Sequence, residues 1–462
     1  MSAAAPIAGT KARSVTAALV MLMLINAVNY ADRGVLSLMQ VPIKKELGLS
    51  DFAIGLLIGP AFAIFYAVMG IPVARLAERF DRSRIIIVAV AIWSLFTGAC
   101  GTASSFVQLA LWRMGMGAAE AGAPPATHAL IADYFPQSKR GRAMAIMTIG
   151  LPLGSFYGNM TSGFVAGALG WRVAFFAAAV PGLILALLCT FLLFEPRRHA
   201  VPAAAKPVQP GGASVMTLLR SPAMLMLVAI ALLSGFVGNA LPNNTAAFFM
   251  RAHGLTLPQA GVVTAIGAGV CGALGAWTSG YLADRLDKGD GKAYYLVPAI
   301  STTLSGILAV TAYWMGGTAV AIGFYWLSAF CGIMMISPTF AALQNVVDPR
   351  NRATAAAIYL FCITVAGAAG LALTGLLSDI IGGSHLGLGR TAYAAACPGG
   401  KAATAAITQA MCAEAGAIGL RTAMTCAALI YFLLLPLYLL AGRIAQPELE
   451  ARRAATLGET SA

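Results

Sequence analysis

Charged residues are scarce in this sequence. Only 10 % of the 462 residues are Asp, Glu, Lys or Arg, whereas 59 % are hydrophobic. A soluble globular protein carries about 25 % charged residues, so this shortage excludes a chain built from ordinary soluble domains. Roughly 20 apolar residues cross the core of a bilayer. The apolar stretches between polar breaks therefore predict an all-α membrane protein whose twelve transmembrane helices fill nearly the whole chain. The predicted spans are 15–40, 52–78, 84–102, 105–133, 142–168, 171–195, 221–250, 257–285, 292–316, 318–346, 353–381 and 419–445.

Signatures of enzymes and ATP-driven pumps are also missing. No Gly-x-x-x-x-Gly-Lys-Ser/Thr loop is present to bind a nucleotide, which disfavours a primary pump. The 4 histidines are scattered singly, without the spacing of metal ligands. The clustered histidines or paired acids of a membrane-embedded enzyme are likewise absent. We therefore expect no enzymatic activity, no metal and no cofactor.

Acidic residues are outnumbered by basic ones, with 17 Asp and Glu against 30 Lys and Arg and a net charge of +13. The basic residues form short clusters between spans, for example around Arg82 and around Arg140. This is the positive-inside bias of cytoplasmic loops, whereas nucleic-acid binding needs a basic face with aromatic residues beside it. We therefore predict an integral protein of a bacterial-type inner (plasma) membrane, with both termini cytoplasmic and no nucleic-acid partner.

Six of the 8 cysteines lie within or at the ends of predicted spans and are expected to pack as small apolar residues. Cys397 and Cys412 differ, because they share one long loop, roughly 382–420, on the predicted non-cytoplasmic side. An oxidising compartment permits disulfides. We predict a bond between these two cysteines.

The two halves of the chain repeat each other. Gly48-Leu49-Ser50 reappears as Gly254-Leu255-Thr256, and Glu78-Arg79 reappears as Asp284-Arg285, at one constant offset. An Ala-, Pro- and Gly-rich segment of the kind that forms flexible linkers separates the halves. The predicted domains are a six-helix bundle at 1–195, a cytoplasmic linker at 196–220, a second six-helix bundle at 221–445 and a cytoplasmic tail at 446–462. Parallel repeats of this kind build transporters whose substrate site lies near the midplane between the halves, and we expect a monomer.

Ionisable residues inside membrane spans are costly and therefore mark candidate functional sites. Asp32 and Arg33 lie in the first predicted span, and Arg113 and Glu120 in the fourth. Arg113 and Glu120 are separated by about 700° of helical rotation, so they share one face about 10 Å apart. Asp32 and Arg113 lie at similar depth, and a paired buried charge costs less than a lone one. We therefore expect an Asp32–Arg113 ion pair, with Glu120 less compensated and no comparable buried charge in the second half.

These residues suggest a carrier with one ionic wall and one neutral wall. We expect Asp32 and Glu120 to exchange protons, and Arg33 and Arg113 to bind the substrate. The opposite wall is expected to supply neutral polar and aromatic contacts from Asn239, Asn243, Phe330 and Tyr359. Such a cavity favours a small amphiphilic or anionic substrate in a protein surrounded by membrane lipid.

The segment Gly280-Tyr281-Leu282-Ala283-Asp284-Arg285 resembles the loop signature of the major facilitator superfamily, Gly-x-Leu-Ala-Asp-Arg followed by basic residues. The first copy departs from it at Ala74, Glu78 and Asp81. An acid in this position can hold a basic loop and a neighbouring helix N-terminus while the cytoplasmic side is closed. The residues of the predicted cytoplasmic gate are Glu78, Arg79, Arg82, Asp133, Asp284 and Arg285.

Three further motifs are similar to those of the spinster family within that superfamily. They are Asn29-Tyr30-x-Asp32-Arg33, the run from Arg113 to Ala121 with Ala119 in place of a glycine, and Pro152-Leu153-Gly154-Ser155. The likeness is strong in the first half and weak in the second. It implies the major facilitator fold of two pseudo-symmetric six-helix bundles, and proton-linked or facilitated movement of amphiphiles such as lysophospholipids or sphingoid phosphates. The alternative is a proton-linked symporter of soluble organic anions such as sugar acids or aromatic carboxylates.

Overall fold

Helices account for nearly all of the structure, a computed structural model that describes residues 10–196, 215–287, 289–348, 351–404 and 407–460. Each predicted span coincides with one helix or with two consecutive helices, which confirms the all-α membrane fold. The helices of the first half are α1 (Thr10–Leu47), α2 (Asp51–Ile58), α3 (Pro60–Arg79), α4 (Arg82–Cys100), α5 (Phe106–Glu120), α6 (Ala123–Tyr134), α7 (Gln137–Leu169) and α8 (Trp171–Leu192).

The second half begins with the short helix α9 (Val215–Leu218) and ends with the longest helix of the chain, α18. A π-helical turn, Ile266–Cys271, joins α11 to α12. The remaining helices are α10 (Pro222–Ala252), α11 (Leu257–Ala265), α12 (Gly272–Leu286), α13 (Ala293–Trp314), α14 (Thr318–Ile333), α15 (Ile336–Val346), α16 (Arg352–His385), α17 (Arg390–Ala396) and α18 (Gln409–Thr460).

Within the described ranges, 10 helical stretches are long and apolar enough to cross a membrane. Two of the predicted spans are not among them. The predicted fourth span is divided into α5 and α6, of 15 and 12 residues, and α7 carries several polar residues along its length. The division after α5 has a local cause, because Pro124 and Pro125 supply no backbone N–H to continue that helix.

The last helix differs from the prediction at both ends. It begins at Gln409, well before the predicted start of the span at residue 419, and it continues to Thr460 through most of the predicted tail. The residues after Pro447 are rich in Ala, Glu, Leu and Arg, which are strong helix formers. The predicted cytoplasmic tail is therefore helical in its described part.

The chain divides into two compact units. The N-terminal unit comprises Met1–Ile43, Ala61–Pro207 and Thr256–Ala265, and the C-terminal unit comprises Lys44–Pro60, Val208–Leu255 and Ile266–Ala462. The units follow the two sequence repeats, with one exchange in each direction. The α1–α2 corner from the first half belongs to the C-terminal unit, and the whole of α11 from the second half belongs to the N-terminal unit.

Glycines of α7 set how α1 is rotated within the N-terminal unit. A Cβ added at Gly154 would lie 2.0 Å from the carbonyl oxygen of Ala27, and one added at Gly158 would lie 2.5 Å from the Cα of Ala31. The two helices therefore touch backbone to backbone, as small residues allow at helix crossings in membranes. Because Ala27 and Ala31 must face α7, the directions in which the side chains of Asp32 and Arg33 leave α1 are fixed.

Candidate transport site

The central feature of the N-terminal unit is an ion pair between α1 and the end of α5. Arg33 Nε and Nη2 each lie 2.8 Å from Glu120 Oε2. The Glu120 side chain is 0 % exposed, whereas the Arg33 side chain is 29 % exposed. A buried carboxylate is tolerated when a hydrogen-bonded cation accompanies it. Our expectation that Glu120 is the less compensated of the two acids is therefore wrong, since Arg33 is its partner.

Aromatic rings surround the Arg33 guanidinium. Its central carbon lies 4.7 Å from the ring centre of Phe62, 5.0 Å from that of Tyr66 and 5.6 Å from that of Tyr30. A guanidinium within about 6 Å of a ring centre gains cation–π stabilisation. Sequence reasoning missed Phe62 and Tyr66, because two aromatic residues spaced four apart in an apolar helix look the same as core packing. The group formed by Tyr30, Arg33, Phe62, Tyr66 and Glu120 is called the Arg33 site below.

Arg113 occupies a different environment from the one we expected. It is 2 % exposed, and its Nη1 lies 3.2 Å from Met116 Sδ. Asp32 does not pair with it: Asp32 Oδ2 accepts a hydrogen bond from Thr97 Oγ1 at 3.3 Å, and Oδ1 has no hydrogen-bond partner in the part of the chain that the structure describes. Of these two arginines, Arg33 is therefore the partly exposed one, and Arg113 is buried.

The glycine four residues after Arg113 has a structural reason. A Cβ added at Gly117 would lie 2.4 Å from the carbonyl oxygen of Phe62, so only glycine lets α5 approach α3 this closely. The same approach brings the Phe62 ring to 5.1 Å from the Arg113 guanidinium carbon as well. The Arg-x-x-x-Gly pattern thus places one aromatic ring next to two guanidinium groups.

The predicted substrate contacts of the second half have local partners. The side-chain amides of Asn239 and Asn243 donate to carbonyl oxygens of their own helix, at 3.0 Å and 2.9 Å. Phe330 packs against a small buried apolar cluster of the C-terminal unit. Tyr359 is 4 % exposed and meets the Phe340 ring edge-on with 5.4 Å between ring centres. A role in substrate binding stays a prediction for these four residues.

A second charged group lies in the C-terminal unit and was missed by the sequence analysis. Lys44 Nζ lies 2.5 Å from Asp51 Oδ1, and Arg251 forms two bonds of 2.8 Å to the same carboxylate. Ser378 Oγ donates to Asp51 Oδ2 at 2.7 Å. Asp379 accepts the backbone N–H groups of Asp51 and of the next residue, each at 2.9 Å. Lys44, Asp51, Arg251, Ser378 and Asp379 are called the outer charge cluster below.

This cluster balances two cations with two carboxylates in a nearly dry environment. Asp51 is 7 % exposed and Asp379 is 2 % exposed. Our expectation that the second half has no buried charge comparable to Glu120 is therefore wrong. Close packing of α2 on α16 buries the cluster, because a Cβ added at Gly375 would lie 2.2 Å from the carbonyl oxygen of Asp51. The sequence did contain one signal of this buried charge, because Asp379 stands within the apolar run of α16.

The loop between α16 and α18 packs on the same end of the C-terminal unit. A disulfide joins Cys397 to Cys412, with 5.7 Å between their Cα atoms. Gly399 has a positive φ of 63° and sits against the end of α1, where an added Cβ would lie 2.5 Å from the carbonyl oxygen of Lys44. Burial raises the pKa of Tyr393 in this loop to about 12. The disulfide loop thus packs against Lys44, a member of the outer charge cluster.

In the N-terminal unit, the predicted gate residues Arg82 and Asp133 form an ion pair. The backbone N–H of Arg82 also donates to Glu195 Oε2 at 2.7 Å. Burial raises the pKa of this Glu195 carboxyl. The side chains of Glu78 and Arg79 lie outside the described residues.

In the C-terminal unit the matching gate residues contact tyrosines. Asp284 Oδ1 accepts a hydrogen bond from the Tyr294 hydroxyl at 2.9 Å, and Arg285 Nη1 donates to the Tyr281 hydroxyl at 2.6 Å. Both gate side chains are exposed. Within the described residues, no group of three or more His, Cys, Asp or Glu side chains is arranged to hold a metal ion.

Comparison with known proteins identifies related sequences and structures. The family model described as Major Facilitator Superfamily matches residues 22–371. An MFS-type efflux pump of Mycolicibacterium smegmatis is 36 % identical over 79 % of this chain and 85 % of the pump. A hexuronate transporter of Bacillus subtilis is 26 % identical over 78 % of this chain and 87 % of that protein.

A solved structure shares the fold along nearly the whole chain. It is a bacterial homologue of the human lysosomal transporter Spinster in an inward-facing and unoccupied conformation. The similarity has a TM-score of 0.80 at 27 % identity, and it covers 93 % of this chain and 97 % of the other. The resemblance to the spinster family seen in the motifs of the first half is thus matched at the level of structure.

Proposed function

Because this chain belongs to the major facilitator superfamily, whose members are secondary transporters, we propose that it carries an amphiphilic organic anion and that this transport is coupled to protons. The observation that carries the proposal is the Arg33 site. It combines a partly exposed guanidinium, a buried carboxylate and three aromatic rings in one place. A carboxylate or phosphate headgroup suits the planar donor fork of an arginine, and the rings suit an apolar body next to that headgroup.

Competition for Arg33 is the proposed coupling step. While Glu120 is ionised, it occupies the Nε and Nη2 donors of Arg33. An anionic headgroup needs the same donors, so its binding is favoured when Glu120 takes up a proton and releases them. Proton uptake and substrate binding are then linked through one guanidinium, with Arg113 supplying a second positive charge close to Phe62. Asp32 is the second proposed proton-binding group.

Alternating access requires that contacts at the two ends of the protein break in turn. We assign the Arg82–Asp133 pair and the residues Asp284 and Arg285 to the cytoplasmic gate. The outer charge cluster is proposed to act at the other end, since it holds the α1–α2 corner of the first half within the C-terminal unit.

A soluble organic anion is the alternative substrate class. It is favoured by the relative described as a hexuronate transporter, which matches most of this chain. The same Arg33 fork would bind the carboxylate of a sugar acid, but the aromatic rings would then contact hydroxyl-bearing carbons. The two classes therefore differ in how strongly binding depends on Tyr66, which contributes ring area but no charge.

Direct binding to purified protein tests the proposed function. We expect a lysophospholipid with an anionic headgroup to bind the wild type and to be displaced poorly by a hexuronate. Arg33→Gln should abolish this binding, whereas Arg84→Gln should not, because the Arg84 side chain is 73 % exposed and lies outside the site. Tyr66→Leu should weaken lysolipid binding. Displacement by hexuronate at low concentration, with no effect of Tyr66→Leu, would favour the sugar-acid alternative, and unchanged binding to Arg33→Gln would refute the site.

A further inference from the structure

A cavity lies within the N-terminal unit, between α1, α7 and α8. Its volume is about 180 Å³. Its walls are mainly small and apolar, and they include three hydroxyl-bearing residues, Tyr157, Thr161 and Ser162. Asp32 is the one carboxylate among the lining residues. Arg33 follows it on α1 and is rotated by about 100°, so the cavity and the Arg33 site lie on different faces of the same helix.

One oxygen of Asp32 has no hydrogen-bond partner among the described residues. Oδ2 is hydrogen-bonded to Thr97, but Oδ1 has no partner in the described part of the chain, although Asp32 is only 1 % exposed. Leaving a buried polar atom unsatisfied costs about 1–3 kcal/mol, and more for a charged group. A water molecule, a proton or a small cation reaching Oδ1 would remove this cost. The cavity is the space from which it can arrive.

The charges around Asp32 decide which occupant fits. On α5 it faces Glu120 and Arg113, which oppose each other in sign. The α4 side offers Thr97 and Trp93 without charge, and the buried Cys100 thiol at the end of α4 is close enough to interact electrostatically with Asp32. From α7 the titratable lining residue is Tyr157, and the α8 residues of the lining are alanines and a proline. No basic side chain lines the cavity, so an anion finds no partner there.

The cavity has room for water and an opening beside two exposed residues. At about 30 Å³ per molecule, its volume corresponds to about six waters. Tyr157 and Ala177 are exposed at its edge. Ala174, also in the lining, is in the first turn of α8, which begins at the end predicted to be non-cytoplasmic.

We propose that this cavity is a hydrated side path through which Asp32 exchanges protons with the non-cytoplasmic side, separately from the substrate at the Arg33 site. The proposal rests on the proton coupling put forward above. It assigns a role to the small residues of α8, because a larger side chain there would fill the path without touching Arg33 or Glu120.

Filling the cavity tests the path. Ala178 lines it, whereas Val180 on the same helix is 51 % exposed and does not, so Ala178→Leu and Val180→Leu form a matched pair. In proteoliposomes, Ala178→Leu should slow uptake driven by a pH gradient by about tenfold, which is about 1.4 kcal/mol in the barrier. Substrate counterflow without a gradient, which needs no net proton release, should stay at the wild-type rate. Val180→Leu should behave as wild type in both assays.

A chemical readout keeps the test independent of transport. A water-soluble carbodiimide, with the modified residue identified by mass spectrometry, should label Asp32 in the wild type and in Val180→Leu but much less in Ala178→Leu. Equal labelling of Asp32 in all three proteins, together with equal gradient-driven uptake, would overturn the side path. If a pH gradient fails to drive the wild type, the proton coupling of the proposed function is refuted, and the labelling alone decides whether water reaches Asp32 through this cavity.

Discussion

Replacing Asp51 by asparagine is a perturbation whose effect follows from the outer charge cluster. The Asp51 carboxylate accepts from Lys44 at 2.5 Å, from Arg251 twice at 2.8 Å and from Ser378 at 2.7 Å. Asparagine keeps the shape of the side chain but removes its charge. Lys44 and Arg251 would then share only the carboxylate of Asp379, and one buried positive charge would be left without compensation.

The size of the effect can be bounded. Removing one partner of a buried ion pair costs about 3–5 kcal/mol, and each 1.4 kcal/mol is a factor of ten in a population. The population in which α2 is held against α16 should therefore fall by about 100-fold or more, relative to the population in which α2 is released. Ser378→Ala removes one hydrogen bond to a charged group and should cost less, about 1.5–3 kcal/mol.

Unfolding of the purified protein in detergent measures these costs. Asp51→Asn should unfold at a clearly lower temperature than the wild type, with Ser378→Ala between them. A double-mutant cycle with Arg251→Gln should give a coupling free energy well above the roughly 0.5 kcal/mol at which independent sites add. An Asp51→Asn protein as stable as the wild type, or a coupling below that level, would refute the argument that the cluster holds this corner.

Three further predictions concern the disulfide, one glycine and the candidate anion site. Non-reducing peptide mapping should find Cys397 bonded to Cys412, and Cys412→Ser should lower stability by about 3 kcal/mol in the chain-entropy model; two free thiols in protein from its native membrane would contradict this. Gly117→Ala should cost about 1–3 kcal/mol by overpacking against Phe62, and a melting temperature equal to that of the wild type would show that α5 can move away. Arg33→Lys keeps the charge but loses the donor fork, so calorimetry should show anion binding weakened by about tenfold; unchanged affinity would mean that charge alone suffices.

The repeat could be predicted from the sequence because its cause is local. Gly48 and Gly254 both have positive φ, of 64° and 66°. Gly48 directly follows the end of α1, and Gly254 lies in the turn that follows α10. Residues other than glycine rarely adopt this backbone conformation at a helix end. The repeated Gly-Leu-Ser/Thr motif therefore records two equivalent chain reversals, and it is visible without any tertiary information.

The pairing of the buried charges could not be predicted in the same way. Asp32 and Arg33 differ by about 100° around α1, so a modest helix rotation decides which of them faces Glu120. That rotation is set by the contact of Gly154 with Ala27, which depends on a helix more than 100 residues away. Depth along the span, the quantity available from the sequence, does not determine rotation. The expected pair was therefore Asp32 with Arg113, whereas the observed pair is Arg33 with Glu120.

The outer charge cluster was missed for a related reason. Charged residues near span ends are ordinarily solvated, and Lys44, Asp51 and Arg251 all lie near such ends. They become buried because α2 packs on α16, an element 327 or 328 positions away along the chain. Burial of this kind is a tertiary property. Asp379 was the exception, since it stands inside an apolar run where any charge calls for a partner.

The most direct test of the central claim, that proton binding at Glu120 controls anion transport through Arg33, is substrate uptake into proteoliposomes with and without an imposed pH gradient. We predict that the wild type is driven by the gradient, and that Glu120→Gln still binds substrate and exchanges it but no longer responds to the gradient. Glutamine keeps a hydrogen-bonding oxygen near Arg33 while removing the titrating proton. A Glu120→Gln protein driven by the gradient at the wild-type rate would contradict the account.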